Sequence, residues 1–595
     1  MKRIFATWDQ SVWKTIDRRL SVHIGLVLVW FVIGLALRLV HLALKPLWAD
    51  EFSTIVFSLG HSYQSIPLNE WLSTRELLSP ALVNPQTGIG SVIEHLLTES
   101  NHPPLYFVLT HGWLALFPNS DGLVSVWGVR SLSAVFGAAA IPAMFGLGWL
   151  AFQSKWVGHL AAVMMAVSPF AIYLAQEARH YTLAIIWIVA SLCALVIAVR
   201  SIWRQIPMPT GVALGWVGVN ALGIATHYFV VLTLIAECWV LIGVAWHVRY
   251  HRRMRVYGGR IGAVIIGTIA SGLVWVPFLT KAQNNDELTR WIYQDGWAGL
   301  GMLSPLLQLV TSWVSMIYLM PVQNVPSWVS RLSGIVLISL TIGLTGWAYR
   351  GLRAQWQHRD ARIAIQTLGG FCLGAIATFL AITYGLGIDL TQVFRYNFVY
   401  FPAVLVIVAA GLAGSRSLVQ NAPIPNQTFE QSPSSGWVRP MNDSCQLIMI
   451  SLVVIVGMIG ALSVVNDLGF RKVHRPDRVA WAIAANSEAP PVVAISHQSH
   501  GHTGRLMGVA WELRSLPQVS NPQFFLDHQE CRIDGEQNCN VPSPTLRESL
   551  TAVPRPFDLW LLNYEGDADL REQGCVYDKT RRVDGYKYQF YRCRD

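Results

Sequence analysis

The chain has 595 residues, of which 53% are hydrophobic and 13% charged. Soluble proteins carry about 25% charged residues, so this composition, with a mean hydropathy of +0.39, excludes a disordered chain, a nucleic-acid-binding tail protein and an ordinary soluble enzyme. The net charge of +9, from 44 basic and 35 acidic residues, fits basic cytoplasmic loops of a membrane protein rather than a nucleic-acid partner.

The basic N-terminus (Lys2, Arg3, Lys14, Arg18, Arg19) leads into a long apolar run without a small-residue cleavage site. That is the pattern of a retained signal anchor, with residues 1–21 cytoplasmic. A membrane-spanning helix needs about 20 apolar residues. Eleven segments meet that length with soft edges: 22–44, 124–150, 157–173, 181–200, 210–227, 229–248, 260–280, 331–350, 362–384, 394–414 and 446–468. Loops expected inside carry Lys155, Arg200, Arg204, the run 249–255, Arg350, Arg353, Arg359, Arg416 and Arg439. Loops expected outside carry only Lys45, Arg75, Arg179, Lys281 and Arg290. The asymmetry orients the chain with its N-terminus inside and its C-terminus outside.

The stretch Pro104–Phe117 is apolar but too short to span, and its Trp113 suits an interfacial helix. It belongs to a large outer loop, 45–123, within a membrane domain over 22–414. Residues 415–445, rich in Pro, Ser, Asn and Gln, read as a cytoplasmic linker. After the last span, 446–468, residues 469–595 form a polar tail the size of one soluble domain. In it PPVVAIS, FDLWLLNY and YKYQFYR have strand character and GRLMGVAWELRS helix character, which predicts a small α/β domain. Its four cysteines, Cys531, Cys539, Cys575 and Cys593, suit two disulfides outside the cell. Joining 531 to 539 and 575 to 593 closes the shortest loops, although four cysteines allow three connectivities. The histidines at 497, 500 and 502 form a weak candidate metal site.

Ionisable groups at membrane helix ends are costly and therefore informative. The first cluster is Trp48-Ala-Asp50-Glu51, after the first span. Its carboxylates suit a general base or a metal anchor, while Asp50 would equally cap a helix starting near Phe52. The second is Asn101-His102-Pro103-Pro104, which holds an imidazole at a helix N-terminus, a place that favours anions. The third is Gln176-Glu177-Ala-Arg179-His180-Tyr181, dense in charge between two apolar helices. The fourth is Arg395-Tyr396, opening the tenth span after Asp389, where the guanidinium would serve a phosphate or snorkel to lipid. His227-Tyr228 marks another helix end and reads as structural.

Taken in this order, WADE, HPPLYFVLTHGWLALFP, VWGVRSLSAVFG, SPFAIYLAQEARHYTL and FRYNFVYFPAVLVIVAAGL resemble the membrane glycosyltransferases of the GT-C fold. The resemblance is to the family (glycosyltransferase family 39-like) of the protein O-mannosyltransferases and the lipid A aminoarabinose transferase, and it covers about residues 20–415. It implies an all-α polytopic membrane domain of about 11 transmembrane helices with juxtamembrane helices, followed by a small extracytoplasmic α/β domain. It implies transfer of a sugar from a polyprenyl-phosphate donor to a lipid, glycan or protein acceptor, with inversion at the anomeric carbon. Asp50 and Glu51 are then the catalytic carboxylates. His102 replaces the lysine that often precedes the two prolines in aminoarabinose transferases, which points towards neutral sugars.

Such a reaction passes through an oxocarbenium-like transition state, and its departing phosphate needs fixed cations. Arg179, Arg395 and His102 are the candidates for that role. Glu177, His180, Tyr181 and Tyr396 complete the expected substrate-binding set. No cofactor is demanded, although Asp50 and His102 have the chemistry to hold a divalent metal. The expected location is a bacterial inner membrane, with the C-terminal domain periplasmic. The competing reading is a transporter or flippase of lipid-linked sugars, but the charges gather on one face and no repeated halves are visible.

Overall fold

The computed structural model describes residues 10–117, 121–248, 254–278, 299–414, 443–529 and 540–594. Among them, eight helices are long and apolar enough to cross a membrane, and a bent helix pair supplies a ninth span. The chain is thus a multi-pass, mostly helical membrane protein with a small C-terminal sheet domain.

Helix α1 (Gln10–Leu39) contains the first apolar stretch, Ser21–Leu39. The loop after it folds into α2 (Ala49–Ser58), a short strand β1 (Trp71–Ser73), α3 (Thr74–Leu77), α4 (Ile89–Glu99) and α5 (Leu105–Leu114). At 10 residues, α5 is too short to span. It packs on α2, α4 and α6 (Val126–Phe152).

The next span is broken. Helices α7 (Lys155–Val167) and α8 (Pro169–Ala175) meet at 55° across Ser168. Pro169 cannot supply the amide that would continue α7. The Ser168 hydroxyl accepts from the Ala171 N–H and donates to the Met316 carbonyl at 2.6 Å. Arg38, fully buried in α1, donates to the carbonyls of Met165 and Ala166 at the C-terminal end of α7. The freed backbone groups are therefore satisfied by protein, as hydrocarbon requires. This break delivers the loop 176–180 to the mouth of the helix bundle.

The bundle continues through α9 (Tyr181–Arg204), α10 (Thr210–Thr226), α11 (Val230–Val248), α12 (Met254–Leu273), α13 (Ser304–Ile317), α14 (Ser327–Trp356), α15 (Arg359–Leu386), α16 (Phe401–Ala413) and α17 (Asp443–Val465). Two elements differ from expectation. The tenth span does not begin at 394: residues Phe394–Val399 form a 3-10 turn, and the α-helix starts only at Phe401, with Pro402 in its first turn. Asn397 holds the turn by donating to the Phe394 carbonyl and the Ser312 hydroxyl. Helix α13 was not expected, because Gln308, Thr311, Ser312 and Ser315 interrupt its apolar run.

The C-terminal domain contains α18 (Pro476–Asn486), β2 (Pro491–His497), α19 (His500–Leu513), β3 (Gln523–His528), α20 (Pro544–Thr551), β4 (Phe557–Leu562), β5 (Cys575–Val583) and β6 (Tyr586–Cys593). The three expected strands are β2, β4 and β6, and the expected helix is α19. Strand order is β1-β3-β2-β4-β6-β5. Strands β3, β2 and β4 are parallel, and the others join antiparallel. All seven residues of β2 are buried, as its continuous apolar run requires of a parallel strand covered on both faces. Strand β1 comes from the first loop of the membrane domain, so the two parts of the chain share one sheet. Cys575 and Cys593 form a disulfide across β5 and β6. The expected 531–539 pairing and most of the linker 415–445 lie outside the described residues, as do Lys281, Arg290, Arg416, Arg439 and much of the basic run 249–255.

Candidate active site

Helix α2 begins after Trp48 without a side-chain cap, so Asp50 is not used as one. Both carboxylates stand in its first turn, where the helix dipole favours them. Adjacent helical residues point about 100° apart, and the two side chains diverge accordingly. Glu51 turns into the scaffold and is fully buried. Its two oxygens accept from Arg130 Nε and Nη2, both at 2.7 Å, and Oε1 also accepts from the Ala178 N–H at 2.9 Å. Arg130 spends its remaining donors on the carbonyls of Leu42, Lys45 and Pro46. Burial would raise the Glu51 carboxyl, but Arg130, Lys472 and the Ala178 amide hold it below its ordinary value. Expected as a second catalytic carboxylate, Glu51 instead ties loop 42–51, the start of α6 and loop 176–180 together.

Asp50 turns into a cavity. Arg395 Nη2 donates to its Oδ2 at 3.0 Å, and Arg179 Nη1 donates to its main-chain carbonyl at 3.0 Å. Burial acts to raise the Asp50 carboxyl. The charges of Arg395, Arg179, Lys472 and His474 outweigh it and hold the group below the usual carboxylate range. Arg179 Nη2 lies 2.9 Å from His102 Nε2. A guanidinium only donates, so His102 Nε2 accepts and its proton sits on Nδ1, 3.1 Å from the Ser100 hydroxyl. Burial first, then Arg179 and Arg395, push His102 well below its ordinary value, so it is neutral.

Glu177 and His180 stand behind this layer. Glu177 Oε1 pairs with Lys472, which arrives from the segment after α17, while Oε2 has no partner among the described residues. Lys472 also lies 4.4 Å from the Trp48 ring centre, and Arg395 lies 4.8 Å from the same ring. Trp48, two residues before Asp50, is thus gripped by two cations. His180 is buried with its ring 5.3 Å from that of His102 and 4.4 Å from that of His227. It does not reach the cavity. Tyr181 and Tyr396 do, the latter packed edge-on against Phe229.

The cavity has a volume of about 560 Å³. Its polar end is made by Asp50, His102, Arg179 and Arg395. Its aliphatic lining is Leu232, Ile382, Leu386, Ile388 and Leu390, from α11, the end of α15 and the turn after it. His227, set aside as structural from the sequence, also lines it. The ring accepts the Phe229 N–H on Nδ1 at 3.1 Å, so in the neutral imidazole the proton is on Nε2. Sequence reasoning also missed Arg130, Lys472 and Glu99. An arginine in the first turns of an apolar helix, and a lysine at the end of the last span, were the available signals. Glu99 had none.

The donor set does not fit a divalent metal. Asp50 is engaged by one guanidinium, the free lone pair of His102 by another, and among the described residues no group of three metal-binding side chains converges. In the tail, His497 is spent on His528 and Thr503.

No protein-family model matches the chain, and no curated protein matches it. Solved structures do. The chain is similar to ArnT from Cupriavidus metallidurans bound to undecaprenyl phosphate, at 12% identity and a TM-score of 0.44, over 96% of this chain and 97% of that one. The apo state of the same protein gives 13% identity and a TM-score of 0.45, over 97% and 98%. The Archaeoglobus fulgidus oligosaccharyltransferase AglB, in complex with an inhibitory peptide and a dolichol-phosphate, gives 12% identity and a TM-score of 0.41, over 84% and 65%.

Proposed function

We propose that this protein is an inverting membrane glycosyltransferase of the GT-C fold. It takes a sugar from a polyprenyl-phosphate donor and passes it to a lipid, glycan or protein acceptor on the outer face of a bacterial inner membrane. One observation carries the reading: a single cavity is lined both by the cluster of Asp50, Arg179 and Arg395 and by a set of aliphatic side chains. That combination matches a phosphate joined to a long hydrocarbon chain, with chemistry at the junction.

The acceptor hydroxyl attacks the anomeric carbon while the bond from that carbon to the phosphate oxygen breaks. Asp50 takes the hydroxyl proton. The phosphate leaves with the bonding electron pair, and its growing charge falls beside Arg395 and Arg179. A single displacement inverts the anomeric centre. Arg395 keeps Asp50 ionised between turnovers. Neutral His102 sets the direction of the Arg179 guanidinium, and Glu51 holds the helix that carries Asp50.

The test uses purified protein in lipid with radiolabelled polyprenyl-phosphate hexose or pentose donors, comparing wild type with Asp50→Asn. Release or transfer of label by the wild type alone supports the reading. No turnover of any donor by well-folded wild type overturns it in favour of transport.

A further inference from the structure

One wall of the cavity is not used by this chemistry. It is formed by α2, the end of α4 with the loop after it, and the start of α19, which present Ser53, Glu99, Asn101 and His500. Glu99 is 7% exposed, and what it shows faces the cavity. Its Oε1 accepts from His95 Nδ1 at 2.9 Å and its Oε2 from the Ser62 hydroxyl at 2.8 Å. A carboxylate offers about four lone-pair sites, so roughly two remain. The Asn101 amide has no hydrogen-bond partner among the described residues. The His500 ring stacks on Tyr63, with centroids 5.1 Å apart and planes at 18°, and so is held as a flat ring in the cavity lining. A nearly buried carboxylate fixed by two donors, beside an unspent amide and a planar ring, is a hydrogen-bonding surface awaiting donors.

We propose that this wall is the sugar subsite and that it selects a hydroxyl-rich sugar free of anionic substituents. The proposal rests on the reading of the protein as a polyprenyl-phosphate glycosyltransferase. Glu99 accepts from sugar hydroxyls, Asn101 donates to and accepts from them, and His500 covers the ring. A sugar bearing a carboxylate or phosphate substituent is repelled by Glu99. Hydroxyl and ammonium substituents both donate to this carboxylate and are accepted. Because His500 belongs to the C-terminal domain, that domain completes the subsite.

The experiment measures binding of two lipids to the full-length protein in nanodiscs: polyprenyl phosphate and the same lipid carrying a neutral hexose. Wild type, Glu99→Gln and Asn101→Ala are compared. The subsite predicts that the hexose lipid binds wild type more tightly than the bare phosphate. Glu99→Gln loses about tenfold on the hexose lipid, and Asn101→Ala about threefold to tenfold, with binding of the bare phosphate unchanged. Unchanged bare-lipid binding also reports an intact fold, and Asn101→Ala removes a side chain that the fold does not use. Equal weakening of both lipids, or of neither, overturns the subsite. Wild type that holds neither lipid overturns the glycosyltransferase reading itself.

Discussion

Arg130 grips Glu51 through two parallel hydrogen bonds of 2.7 Å, across 79 positions of sequence, with both side chains at most 1% exposed. This paired geometry is the strong form of the arginine–carboxylate contact. Removing one partner leaves the other charged and buried, which costs about 3–5 kcal/mol. Arg130→Met is therefore expected to melt far below wild type in lipid nanodiscs. The double variant Arg130→Met/Glu51→Met, which buries no orphan charge, is expected to recover much of that loss. Thermal unfolding of wild type and the two variants measures this. A single variant no less stable than the double one would contradict it.

Asp50 is held below the usual carboxylate range and His102 well below its own. A carboxyl whose pKa is depressed on folding stabilises the protein above its unfolded pKa of about 3.9, and that contribution disappears as pH falls through the folded value. The same sign governs the rate: Asp50 remains a base until pH drops below its lowered pKa, and His102 takes a proton only well below its ordinary value. Around the ordinary histidine value of about 6.5, therefore, neither group changes charge, and the donor turnover profile is expected to be flat there on its acid side. An acid limb centred near about 6.5 would identify a titrating histidine and contradict the assignment. Asp50→Asn is expected to lower turnover by about 10²–10⁴-fold.

Arg395 serves both the base and the leaving group, so its removal has two signatures. Arg395→Gln is expected to lower kcat/KM for the donor by about 10²–10³-fold, the usual cost of losing one donor at a developing negative charge. It also removes the foremost of the charges that hold Asp50 down, so the acid limb of the pH profile moves upward. Arg395→Lys restores charge without the planar fork and is expected to recover the limb position better than the rate. A merely structural arginine would change the rate and leave the limb where it was.

The four charged clusters were legible because ionisable residues at membrane helix ends are rare, and Asp50, His102, Arg179 and Arg395 do converge. What the sequence could not convey was direction. Asp50 and Glu51 are neighbours in the chain, yet helical geometry sends one to the cavity and the other to Arg130. Long apolar spans were evident by length alone. Helix α13 was not, because polar residues interrupt its apolar run, two of which, Ser312 and Ser315, are buried against the protein, where Ser312 receives Asn397. The start of α16 was misplaced because hydropathy does not register Pro402 or the 3-10 turn before it. The pairing of β1 with β3 joins residues more than 400 positions apart, and three residues of strand carry no local signal for it.

Gly504 sets how closely the C-terminal domain approaches the base. It lies in α19, against the first residue of α2, and a Cβ there would meet Ala49 Cα at 3.1 Å and Ala49 O and Cβ at 3.2 Å. These atoms belong to the backbone and to a one-carbon side chain, so nothing flexible can yield. Gly504→Val must push α19 away from α2, at a cost of about 1–3 kcal/mol. The shift acts at Ala49, next to Asp50, and at His500 on the same helix. Turnover is therefore expected to fall by more than the change in stability explains, with Gly504→Ala intermediate. Gly346, in the interior of α14, has nothing within 4 Å of an added Cβ, so Gly346→Ala is the control. It is expected to be neutral or slightly stabilising, by up to about 1 kcal/mol. Melting temperature and donor turnover, measured on the same nanodisc preparations, separate the two effects. If Gly504→Val turned over donor at the wild-type rate, close contact between α19 and α2 would not be needed for the reaction.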